Sequence, residues 1–257
     1  MGGTASVEGD MMKRIGVRMM VLIRVMGLGG MVGLCLVASQ AWPAVVGVDV
    51  GHSSIRPGAV SARGRSEFDF NRDLARAIEA ALERRGLEGR LINELGDIGE
   101  LPARAAAAAG VDLLLSVHHD SAQPHYMESW EVDGKRQHYS DRFSGFSLFV
   151  SRDNPHLPKS LACASAVGAA LRSAGRAPSL YHAEPIPGED RPFADAGNGV
   201  HYFDNLVVLR TATTPAVLLE AGVIVNRSEE LLLARAEHRE ATAAAIADGV
   251  VRCLAAR

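Results

Sequence analysis

The chain has 257 residues, 47% hydrophobic and 22% charged, an ordinary globular balance with room for one large domain or two small ones. A formal net charge of -3 gives no basis for nucleic-acid binding, and 5% aromatic residues leaves few platforms for stacking carbohydrate.

Residues 1–41 stand apart. Lys13, Arg14, Arg18 and Arg24 form a basic opening, residues 25–38 are an uncharged apolar run, and Ser39-Gln-Ala41 puts small residues where a signal peptidase reads them. This predicts a signal peptide cleaved after Ala41 and an exported mature chain, periplasmic or secreted. The apolar run is short for a membrane span, so none is expected in the mature form. Cys163 and Cys253 stay in the mature chain. Both lie in apolar helical patterns, and a disulfide and two buried free thiols are equally open readings.

Residues 45–50 are a short Val-rich run closed by Gly51-His52, which reads as a buried strand stopping at a turn. A loop to Ser66 follows. Phe70, Leu74, Ala77, Ile78, Ala81 and Leu82 then recur at helical spacing, with Glu67 at the helix start, where the dipole alone already favours an acid. Residues 90–95 predict a second strand and 101–109 an Ala-rich helix. Residues 113–120 predict a third strand, ending in His118-His119-Asp120. Strand side chains alternate faces, so only one of the two histidines can enter a given site.

Residues 121–143, with Pro124, Tyr126, Trp130 and Gly134, break the pattern and predict an excursion over the strand ends, a hairpin by its composition. Residues 145–151 predict a fourth strand and 161–171 a helix. The Pro- and Gly-rich stretch 173–204 is the longest irregular one, and a loop of that length in a compact domain is usually functional. Residues 206–209 and 216–220 predict two more strands, the second ending in Glu220-Ala-Gly222, and helical patterns over 228–234 and 237–254 close the chain. The alternation predicts one α/β domain over 45–257, with a twisted, mixed, mainly parallel sheet of about six strands flanked by helices.

Three predicted strands end in an ionisable residue (His52, His118 and Glu220), and Glu67 enters from the helix after the first. In open α/β sheets that edge is where ligands bind. Two histidines and a carboxylate are a standard catalytic zinc set, which leaves a position for water, and a further carboxylate can take that water's proton. Gly-x-Ser-x-Gly, P-loop and dinucleotide fingerprints are absent from the sequence.

In this order the motifs resemble the zinc-dependent N-acetylmuramoyl-L-alanine amidases of bacterial cell-separation enzymes and lysins. The resemblance rests on Val48-Asp-Val-Gly-His52, Pro57-Gly-Ala59, Glu67 with Asn71 and Leu74, and Leu101-x-x-Arg104. It continues through Ser116-Val-His118-x-Asp120, residues 145–151, Leu209-Arg210, and Pro215-Ala-Val-Leu-Leu-Glu220-Ala-Gly222 with Asn226. It implies Zn2+ held by His52, Glu67 and His118, with Glu220 as catalytic carboxylate. It implies hydrolysis of the amide between N-acetylmuramic acid and L-alanine in peptidoglycan. His118 is preferred to His119 because it holds the family's Ser-x-His-x-Asp position. Ser53-Ser54 where glycines are usual, His119 for a small residue and Val223 for an aromatic are departures that touch pocket shape. Alternative readings are a zinc peptidase of the stem peptide and a non-catalytic wall binder on the same fold; a retained Glu220 speaks against the binder. Arg210 is a candidate for a peptide carboxylate. Glu184 and Glu189 are candidates for a lid over the metal, released by a protein activator, although the Pro and Gly around them suit a fixed substrate-lining loop as well.

Overall fold

The computed structural model of the protein describes residues 43–256. The expected signal peptide lies outside the described residues. The chain runs β1 (Val45–Val50), α1 (Glu67–Glu83), β2 (Glu88–Ile92), α2 (Leu101–Ala107), β3 (Leu113–Asp120), the hairpin β4 (Glu128–Val132) and β5 (Lys135–Tyr139), and β6 (Ser147–Val150). It continues through α3 (Leu157–Ser173), β7 (Phe193–Asp195), β8 (Val200–Tyr202), α4 (Val207–Thr211), β9 (Ala216–Val223), α5 (Arg227–Leu233) and α6 (Ala236–Ala255).

Seven strands form one sheet in the order β2-β1-β3-β9-β6-β8-β7. The first four are parallel, β6 runs antiparallel to β9, β8 parallel to β6, and β7 antiparallel to β8. The mixed, mainly parallel sheet is therefore as expected, with one strand more.

Alternation along the strands sorts side chains into two cores. Val46, Val48 and Val50 of β1 and Leu113, Leu115 and Val117 of β3 meet Leu74, Ile78 and Leu82 of α1, together with α3 and α6. Leu114, Phe149 and Leu218 point to the other face, under Val208 and Leu209 of α4 and Ala105 of α2. Short α2 and α4 cover that second face only partly, so the C-terminal strand ends stay accessible there. Helix α1 starts where Ser66 accepts the backbone N–H of Asp69 at 3.3 Å. Cys163 of α3 and Cys253 of α6 are joined in a disulfide with their Cα atoms 4.9 Å apart, which decides between the two open readings.

Two expected strands differ. The second ends at Ile92, because Asn93 takes a left-handed backbone (φ 58°) and turns the chain. Residues 206–209 are not a strand: Val207–Thr211 is helix α4, and β7 and β8, both inside the stretch expected to be irregular, supply sheet strands instead. A four-residue apolar run is equally compatible with a buried strand and one helical turn, and only packing separates them. Arg210 therefore lies exposed on a helix, α4, rather than at a strand end. The expected excursion is the β4–β5 hairpin, whose Trp130 Nε1 donates to the Ala62 carbonyl at 2.8 Å.

Candidate metal centre and catalytic cleft

His52 leaves β1 in a left-handed backbone conformation (φ 67°), a costly state for a side-chain-bearing residue. Its carbonyl and that of Val50 both accept from Asn93 Nδ2, at 2.7 and 2.8 Å, so the end of β2 clamps this turn. Gly51 and Gly58 are required by space. A Cβ at Gly51 would fall on the His118 ring, and one at Gly58 (φ 81°) would fall on Glu67 Oε2 and lie 2.6 Å from the His52 ring.

Glu67 sits in the first turn of α1 and is 4% exposed. His52 Nε2 meets its Oε2 at 2.9 Å, and His118 Nδ1 meets its Oε1 at 3.0 Å. Ala59 N–H donates to Oε2 at 3.0 Å and Asn71 Nδ2 to Oε1 at 3.3 Å, which fixes the carboxylate plane. Burial works to raise the Glu67 carboxyl, but the hydrogen bonds from His118 and His52 outweigh it and hold it well below the usual carboxylate range. Burial also lowers His118, partly offset by Glu67. One nitrogen from each histidine and one Glu67 oxygen lie within 4.8 Å of one another. Two imidazoles and a carboxylate converging on one point are a fitting donor set for a zinc-type divalent ion.

His119 faces the other way. Its Nδ1 pairs with Asn71 Oδ1 at 2.8 Å, it packs 5.5 Å from the Phe70 ring, and burial pushes it down to about 3, so it is a neutral core residue. The alternation argument thus separates the pair as expected.

Glu220 stands in register beside His118 across the parallel β3–β9 ladder, on the same face of the sheet. Burial raises its carboxyl well above the usual range, and the charges of Asp120 and Glu67 add to this while Arg191 opposes it. Its Oε2 is buried with no hydrogen-bond partner among the described residues. A carboxylate shielded from water but free of protein partners is suited to exchanging a proton with a bound reactant.

Beside these groups lies a cleft of about 280 Å³ lined by His52, His118, Leu101, Val207, Val208 and Leu218, with Arg56 and Arg104 among its polar residues. Arg104 is tied down: its Nε donates to Asp49 Oδ1 at 2.9 Å, and its second nitrogen and the Ser116 hydroxyl both donate to Oδ2. This buried trio joins α2, β1 and β3 directly beneath the site. Arg210 is on α4, the same helix that walls the cleft.

Glu184 and Glu189 are committed to other partners. Glu184 accepts from Tyr126 Oη at 3.0 Å and Arg142 at 3.4 Å; Glu189 accepts from Gln123 Nε2 at 2.8 Å, lies 2.8 Å from His182 Nδ1, and pairs with Arg191. Neither belongs to the His52, Glu67 and His118 cluster. Asn93 and the Asp49–Arg104–Ser116 trio were not legible as site-supporting residues, because each acts through a partner distant in sequence; Asp49, Arg104 and Ser116 carried a signal only within the family motifs.

A donor set of this kind at the C-terminal edge of a mixed sheet, with a shielded carboxylate alongside, fits the site of an α/β hydrolytic enzyme whose three converging donors could hold a metal ion. Residues 46–252 match the family described as N-acetylmuramoyl-L-alanine amidase, and the chain belongs to that family. It is an amidase, acting on the bond between N-acetylmuramic acid and L-alanine in peptidoglycan. The chain is 26% identical over 235 residues to the N-acetylmuramoyl-L-alanine amidase AmiA of Escherichia coli (strain K12), covering 80% of this chain and 75% of the relative. Among solved structures, the catalytic domain of CwlV from Bacillus (Paenibacillus) polymyxa var. colistinus superposes with a TM-score of 0.62 at 26% identity, covering 83% of this chain and 99% of that one. The amidase from Clostridium difficile 630 gives 0.64 at 20% identity, over 84% and 100%. The CwlD amidase of Clostridioides difficile, solved in complex with the GerS lipoprotein, shares the fold with a TM-score of 0.61 at 18% identity, over 83% and 100%.

Proposed function

We propose that the enzyme is zinc-dependent, with His52, Glu67 and His118 as ligands and Glu220 as the catalytic carboxylate, and that it acts on peptidoglycan outside the cytoplasm. The observation that carries this is the convergence of the three donors within 4.8 Å, with Glu220 in register beside one of them. When bound, zinc would polarise the scissile carbonyl and acidify a water. Glu220 takes the proton from the attacking water and returns it to the nitrogen of the leaving L-alanine. The low-dielectric setting that raises its carboxyl also makes it a competent acid for that return. The apolar wall of Leu101, Val207, Val208 and Leu218 excludes bulk water from the reacting amide.

Arg210, exposed on the helix that walls the cleft, is the candidate partner for a stem-peptide carboxylate; Arg210→Ala should raise KM and leave kcat alone. The Cys163–Cys253 disulfide supports export, since such bonds persist in oxidising compartments. A protein partner enters by analogy with CwlD, solved in complex with the GerS lipoprotein, and basal turnover of the isolated mature chain decides whether an activator is needed. The partners committed by Glu184 and Glu189 favour a fixed wall over a lid.

The test is mass spectrometry of products from purified peptidoglycan incubated with the mature protein, with and without a chelator. Free stem peptides beginning at L-alanine and lost on chelation are the expected result. Glu220→Gln should reduce kcat by about 10²–10⁴-fold with metal content unchanged. Cleavage that survives complete metal removal would refute the zinc assignment, and full activity of Glu220→Gln would refute its role.

A further inference from the structure

The segment from Tyr181 to Arg191 clamps the four residues that follow the ligand-bearing end of β3. Tyr181 Oη accepts from Gln123 N–H at 2.6 Å, and Gln123 Nε2 donates to Glu189 at 2.8 Å. His182 is at the centre. Its side chain is 9% exposed, its Nε2 is 2.7 Å from Asp120 Oδ2, and its Nδ1 is 2.8 Å from Glu189 Oε2. Its ring stands edge-on to Phe149 of β6 at 4.9 Å, and its carbonyl accepts from Arg191 N–H at 2.7 Å.

The place it clamps is one that needs holding. The β3–β9 register is regular through His118 opposite Glu220, then shifts before Asp120, which pairs with Val223. A bulge is a local loss of ladder bonding that bends the strand. Asp120 anchors this break three ways: its carbonyl accepts from Ile224 N–H at 3.0 Å, its Oδ1 from Ser121 N–H at 2.7 Å, and its Oδ2 meets His182. Only the last of these three reaches beyond the two strands and the residues that directly follow them.

We infer that His182 is a positioning residue for the amide cleavage, holding Asp120 and through it the bulged end of β3 so that His118 and Glu220 keep their side-by-side register. The inference rests on the proposed roles of His118 and Glu220. Both imidazole nitrogens have a carboxylate partner, so the ring is used as a doubly bonded cation: burial disfavours its charge, but Asp120 and Glu189 outweigh this and push its pKa up to about 9. The cation also offsets the charge of Asp120, which bears directly on Glu220. A glutamine at 182 can reach only one of the two carboxylates and carries no charge.

The experiment compares the mature zinc-loaded wild type with His182→Gln, Asp120→Asn and the double variant, reading kcat, KM, metal content and amide hydrogen exchange over residues 120–123. His182→Gln is expected to lower kcat by on the order of tenfold with KM and metal content unchanged. The double variant should be no slower than the slower single one, because both act through one contact. Exchange over 120–123, read without substrate, should speed up in His182→Gln. Wild-type kcat in His182→Gln, losses that multiply in the double variant, or unchanged exchange would each overturn the inference. If His182→Gln does not fold, Glu189→Gln takes its place, with faster exchange over 120–123 expected and unchanged exchange refuting the brace. A wild type that releases no stem peptide would sink the amidase mechanism instead, while the exchange comparison still judges the brace.

Discussion

Replacing Arg104 with methionine should destabilise the enzyme severely, although Arg104 belongs to neither the proposed ligands nor the acid. Arg104 is 2% exposed and its partner Asp49 is fully buried. Two guanidinium nitrogens reach the two oxygens of Asp49, and the only other donor to that carboxylate among the described residues is the Ser116 hydroxyl at 2.6 Å. Removing the arginine strands an anion in the core, and the cost of breaking such a pair is about 3–5 kcal/mol. For a domain of this size each kcal/mol lowers Tm by about 2–4 °C, so a fall of about 6–20 °C is expected. The assay is thermal unfolding by circular dichroism on chelator-treated protein, so that metal binding does not add to the difference. Asp49→Asn/Arg104→Met, which removes both charges and leaves Ser116 an acceptor, should recover much of the loss. A single variant within about 1 kcal/mol of wild type, or a double variant no better than the single, would refute the claim that an uncompensated buried charge sets the cost.

Gly58→Ala should weaken metal binding by on the order of 10–100-fold while the fold persists, since the new methyl meets Glu67 and His52 at a left-handed position; competition with a chromogenic chelator reads it. Stability should also depend on pH through His182. Its folded pKa of about 9 lies above the unfolded 6.5, so its contribution is full below about pH 6.5 and is lost as pH rises through about 9. The stability gap between wild type and His182→Gln, from urea midpoints, should therefore shrink by about 2–3 kcal/mol across that window, and a constant gap would show the imidazole to be neutral. Replacing Cys163 and Cys253 by alanine opens a crosslink between residues 90 apart in sequence. It should cost about 2–4 kcal/mol in denaturant unfolding and leave kcat unchanged, because the bridge ties α3 to α6 on the sheet face away from the cleft.

The strand-helix alternation, the buried Val and Leu runs of β1 and β3, and the helical stripe of α1 were legible in the sequence because each follows from a local period that the backbone imposes. The same local logic put His52 and His118 near strand ends and allowed only one of His118 and His119 into the site, whereas β9 continues past the expected end at Glu220 to Val223. Other features were settled only by packing. Residues 206–209 turn as helix rather than strand because one short apolar run satisfies either geometry until neighbours choose. The sheet gains two strands, β7 and β8, from within the stretch 173–204 because three-residue strands have no period of their own. Asn93 under His52, Arg104 on Asp49 and His182 on Asp120 are partners 41, 55 and 62 residues apart. Sequence fixes the chemical type of each group, but a hydrogen bond of under 3 Å between distant segments exists only once the chain has folded, and that is where the support of this site resides.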